Sequence, residues 1–125
     1  MASTASFPSE TRAVSDARQF VLTAGDVPDA AAGDVALLVS EVASNAVLHA
    51  RSPFTVTVER SGSNLRVAIS DNSAVLPVVK HLSDEATTGR GLRILGHLAR
   101  AWGVEPGRSG KTVWFEIDLD EVPIA

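Results

Sequence analysis

The chain has 125 residues, 45% of them hydrophobic and 21% charged, which is the size and make-up of one globular domain with a core of its own. A formal net charge of −4, with Lys and Arg scattered, speaks against nucleic acid as the main partner, because that binding needs clustered cations facing phosphates. No cysteine is present, so disulfides, thiol catalysis and cysteine-bound zinc are excluded.

Residues 1–6 are small and polar, without the charged start and apolar run of a leader, and read as a flexible tail. No stretch approaches the roughly 18 apolar residues of a membrane span, so no membrane and a cytoplasmic location are expected. Pro8 and Ser9 open a first helix, in which Ala13, Ala17, Phe20 and Val21 keep helical spacing up to Gly25. The cluster Asp26, Pro28 and Asp29 starts a second helix that runs to about His49 or Ala50. Residues 54–59 alternate apolar and polar, as do residues 65–70, and Ser61-Gly62-Ser63-Asn64 joins them into an antiparallel hairpin. Between Asp71 and Gly91 no period survives. A loop of that length in a compact domain is usually a lid or a binding loop, here assigned to residues 72–88. Leu92, Leu95, Leu98 and Ala99 mark a third helix, and a hairpin through Trp102-Gly103-Val104 ends in a strand over 111–118, with Val113, Phe115 and Ile117 on one face. Trp102 and Trp114 read as core or sheet-face aromatics. This order predicts a single α/β (α+β) domain over 1–125: a two-layer sandwich whose mixed, mostly antiparallel sheet carries about three helices on one face.

Chemistry concentrates at three points. In residues 37–49 an acid, an amide and an imidazole recur every four residues, each advancing about 40° around a helix, so Glu41, Asn45 and His49 form one ridge. The ridge runs along the edge of the apolar stripe Val35, Val39, Val42 and Ala46, which holds it half-buried. A carboxylate and an amide oxygen one turn apart can hold a hard cation and orient a hydroxyl. Taken alone, such a ridge is more often a solvated helix edge with a His near the C-terminus. Gly89-Arg90-Gly91 opens the third helix, where free N–H groups and the dipole suit an anion, although alone it is a loop-to-helix turn. Asp71 closes the second strand and can accept from an exocyclic amine or close an Asx-type turn. Gly110-Lys111-Thr112 imitates the end of a Walker A loop, but Glu105 stands at the required first glycine and a strand follows.

In that order these features resemble the GHKL (Bergerat-fold) ATPases. More narrowly, Leu38-Val39-Ser40-Glu41 with Asn45-Ala46-Val47 and His49-Ala50, then Thr87 to Leu92, then Gly110 to Glu116, are similar to the small anti-sigma-factor, serine-kinase-like ATP-binding proteins of actinomycetes, over about residues 7–118. The resemblance implies ATP and Mg²⁺ as ligands. It implies that Asn45 supplies an oxygen to Mg²⁺, that Glu41 orients or deprotonates the attacking hydroxyl, and that Asp71 accepts from the adenine amine. Thr88, Gly89, Arg90, Gly91 and Leu92 match the phosphate-contacting segment, and Thr112 matches a strand residue beside the adenine. A sigma factor and an anti-sigma antagonist protein are the partners it implies, with a homodimer possible and no direct nucleic acid. His49 sits at a matching position, with a structural hydrogen bond and a phosphate contact both open as its role.

The larger family continues the acid as Asp-x-Gly-x-Gly, whereas this chain reads Asp71-Asn72-Ser73-Ala74-Val75. The expected function is therefore an ATP/Mg-binding anti-sigma factor that phosphorylates Ser or Thr of its antagonist and sequesters a sigma factor. The alternative is a catalytically inactive, nucleotide-gated interaction module. A metal-dependent hydrolase using Glu41 and His49 as ligands is disfavoured, because no second His or acid at ligand spacing completes a site.

Overall fold

Alternating burial builds the sheet. In β2 (Phe54–Ser61) the inward residues are Phe54, Val56 and Val58; in β3 (Asn64–Asp71) they are Leu65, Val67 and Ile69. The computed structural model describes residues 2–73 and 96–120. Besides those two strands they form β1 (Ala2–Phe7), α1 (Thr11–Ala24), α2 (Asp29–Asn45) continued by a π-wound turn (Ala46–Ala50), β4 (Ala101–Pro106) and β5 (Lys111–Asp118). The five strands make one open sheet in the order β1-β2-β3-β5-β4. Every pairing is antiparallel, so the mixed sheet expected from sequence is antiparallel throughout the described residues. Gly62 takes φ +62 in the two-residue loop between β2 and β3, a value that hairpin turns of this length require.

Ala13, Ala17 and Val21 on α1 and Val35, Leu38, Val39 and Val42 on α2 are buried with the inward residues of the strands, in a single core. Residues 96–98 are helical, the described part of the third expected helix, and Leu98 and Ala99 pack against that core. The result is an α+β fold with helices layered on an open antiparallel sheet.

Two expectations need correction. Within the tail expected at residues 1–6, residues 2–6 are strand: β1 pairs with β2 from Ala2 opposite Glu59 to Phe7 opposite Phe54. Phe7 anchors it, stacking on Phe54 with ring centroids 5.4 Å apart and meeting Phe20 edge-on at 6.0 Å. Second, one helical run, Asp29–Leu48, is long and apolar enough to cross a membrane by length and composition. Here Val35, Leu38, Val39 and Val42 of that run lie in the core, which is why it is so apolar.

Candidate functional site

The site grows from the C-terminal half of α2. Glu41 and Asn45 stand half-buried one turn apart, beside the fully buried Val39, Val42 and Ala46. Ser40 ties this segment to α1: the Arg18 guanidinium donates to its Oγ at 3.0 Å, and that hydroxyl donates to the Ala36 carbonyl at 2.7 Å. Immediately after Asn45 the winding changes. The Ala46 amide is shared between the carbonyls of Val42 and Ala43, residues 46–50 form a π turn, and Arg51 ends it in the left-handed region at φ 51 and ψ 40. π turns inside α-helices recur at functional positions. Because the turn is wider, the regular spacing of four read from sequence holds for Glu41 and Asn45, which precede it.

The second half lies at the adjoining ends of β3 and β5, where Asp71 is the cross-strand neighbour of Lys111. Lys111 is 3% exposed and the Asp71 side chain 5%. The ammonium donates to both carboxylate oxygens, at 2.9 Å to Oδ1 and 2.8 Å to Oδ2. The Ser73 amide also donates to Oδ1, at 2.8 Å, which closes an Asx-type turn. One residue earlier, the Asn72 amide donates to Ser52 Oγ at 3.0 Å, and Ser52 donates to the Pro53 carbonyl at 2.9 Å. The chain leaving Asp71 is thus laced to the Ser52 and Asp71 side chains through Asn72 and Ser73, and Ser73 stands where the larger family has its first glycine. Gly110 makes the close approach possible, since a Cβ there would overlap the Asp71 carbonyl oxygen.

Lys111 is the functional candidate that sequence reasoning missed. Its parity with Val113, Phe115 and Ile117 placed a cation on the buried face of a strand, which demands a partner. Thr112, expected beside the adenine, is the corresponding correction. Strand alternation turns it to the other face of the sheet, where its hydroxyl bonds Ser70 Oγ at 2.7 Å, away from Asp71. On that outer face the Arg66 guanidinium stacks over Trp114 at 4.4 Å, whereas Trp102 on β4 is the exposed cross-strand neighbour of inward-facing Phe115. Thr88, Gly89, Arg90, Gly91 and Leu92 lie outside the described residues, as does the expected lid apart from Asn72 and Ser73.

The donor set fits a nucleotide carrying Mg²⁺. That ion keeps several waters and takes one or two protein oxygens besides phosphate, which a single half-buried Asn45 amide can supply. Among the described residues no three His, Cys, Asp or Glu side chains converge into a ligand cluster, so a cage made wholly of protein groups has no counterpart there. Among the described residues only Lys111 donates to Asp71 Oδ2, which leaves that oxygen one acceptor position for an amine.

The family model for the histidine kinase-like ATPase domain matches residues 7–117. No curated protein matches the chain. Among solved structures, the histidine kinase domain from the Erythrobacter litoralis EL346 blue-light activated histidine kinase superposes with a TM-score of 0.58 at 21% identity, covering 91% of this chain and 62% of that one. The Erythrobacter litoralis EL346 blue-light activated histidine kinase also superposes, with a TM-score of 0.60 at 25% identity, covering 86% of this chain and 41% of that one. This chain therefore spans less than two thirds of either matched chain.

Proposed function

The chain belongs to the family of histidine kinase-like ATPase domains, of the GHKL type, and from that premise we propose that it is a cytoplasmic ATP- and Mg²⁺-binding anti-sigma regulatory factor. In this reading it phosphorylates a Ser or Thr of an antagonist protein and sequesters a sigma factor once the antagonist is modified. The observation that carries it is the pair Glu41 and Asn45, half-buried one turn apart on α2, inside a stretch that the family model matches.

Each residue has one task. Asp71 accepts from the 6-amine and fixes the base. Asn45 would hold Mg²⁺, which when bound neutralises phosphate charge. Glu41 accepts the proton of the antagonist's hydroxyl as that oxygen bonds to the γ-phosphorus and the bond to the departing ADP oxygen breaks. Thr88 to Leu92 contact the phosphates in the resembling proteins and take the same task here. Partner exchange is the output, with the charge added to the antagonist as the switch.

Single-turnover transfer from γ-labelled ATP to candidate antagonist proteins tests the reading. Glu41→Ala should bind ATP normally while transfer falls about 10²-fold or more, whereas Asn45→Ala should lose ATP affinity and transfer together. A Glu41→Ala variant with full transfer would refute the kinase. One observation favours the second reading, a nucleotide-gated module without transfer: Ser73 and Val75 stand where the larger family has the glycines that let backbone approach a nucleotide. Binding of ATP with no transfer to any antagonist would establish that alternative.

A further inference from the structure

The Asp71 carboxylate is unusually full for a group assigned to read a base. A carboxylate oxygen accepts about two hydrogen bonds. Oδ1 already receives the Lys111 ammonium and the Ser73 amide, and Oδ2 receives the same ammonium. Among the described residues nothing else donates to Oδ2, so the group offers one acceptor position.

Resting on the nucleotide site proposed above, we propose that Lys111 is the base-selectivity residue: by occupying both oxygens it narrows Asp71 to a single-position acceptor, which suits adenine and rejects guanine. Adenine directs one N–H of its 6-amine at such a group. Guanine presents N1–H and N2–H side by side, a donor pair that a free carboxylate takes on its two oxygens at once. With Oδ1 filled, the second guanine donor enters the pocket unpaired, and an unpaired buried donor costs more than a hydrogen bond gains. Removal of the ammonium would return a position to Oδ1 and a second to Oδ2, restoring the two-oxygen acceptor that guanine requires. A buried ion pair that merely joins two strand ends would leave base preference unmoved when altered, so selectivity separates the two roles.

ITP and GTP differ only in the 2-amine, which makes them the test pair. Calorimetry on the full chain with Mg-ATP, Mg-ITP and Mg-GTP should find ATP tightest and GTP no tighter than ITP. In Lys111→Met, GTP should become tighter than ITP by about tenfold as its second donor gains a partner, and Lys111→Arg, which refills both oxygens, should keep the wild-type order. The proposal is overturned if Lys111→Met retains the wild-type order, or if wild-type protein already binds GTP more tightly than ITP; the second result needs no variant to fold. Either outcome with intact ATP binding leaves the nucleotide-binding reading standing. A wild-type chain that binds none of the three removes both.

Discussion

Lys111 and Asp71 depend on each other more than any other described pair of side chains. Each is tolerable on the buried face of its strand because the other neutralises it at 2.8–2.9 Å. Breaking such a pair from one side leaves an uncompensated buried charge, a loss of about 3–5 kcal/mol, whereas replacing both members by neutral groups of similar shape is close to neutral. Asp71→Asn should therefore lower the melting temperature by more than about 10 °C, and adding Lys111→Met should recover most of that; a double variant no more stable than the single one would show that the pair is not coupled. This contact was hidden in the sequence for a particular reason. Lys111 sits in a false Walker A ending, and dismissing that motif also set aside the lysine, although its place on the inward face of β5 already called for a counter-charge. Thr112 failed differently. A one-residue offset in a strand exchanges faces, so a match by motif alone assigned a neighbour to the wrong side of the sheet.

At the level of elements, legibility followed periodicity. The central strands and α2 carry strong repeats of two and of 3.6 residues, and the structure places them within a few residues of where those repeats put them. β1 carries no such signal, because its Ala, Ser and Thr residues sit at the sheet's edge and are held mainly by the backbone ladder to β2. Thr4 and Ser6 add hydroxyl contacts to Thr57 and Thr55 at 3.3 and 3.2 Å. Its one apolar anchor is Phe7. Phe7→Ala removes the stack on Phe54 and the edge contact with Phe20, and for a half-buried ring should cost about 2–3 kcal/mol. Urea unfolding checks this, and a change below about 0.5 kcal/mol, the scatter of neutral surface substitutions, would mean that β1 contributes little. The π turn after Asn45 was equally invisible, since nothing in Ala46 to Ala50 distinguishes π from α winding; hydrogen-bond partners decide it, and those depend on the packed neighbours.

For the whole molecule, a ligand that binds only the folded state adds stability by mass action. Mg-ATP at about 100 times its dissociation constant should add about 2.7 kcal/mol, seen as a rise of several degrees in the melting temperature, and Mg-GTP at the same concentration should give less. No rise with saturating Mg-ATP would count against nucleotide binding. The ion pair at the sheet's end also has a consequence for chain entropy. Asp71 and Lys111 are 40 positions apart in the chain yet directly opposed in space, so they clasp the two ends of a span that includes β4. The entropy of closing such a span grows only logarithmically, about 0.6 kcal/mol for each doubling of its length. A change of length between the two residues therefore costs little in closure entropy while β3 and β5 keep their register, and what fixes the sequence inside that span is the pairing of β4 and the packing of Leu98 and Ala99, not the clasp at its ends.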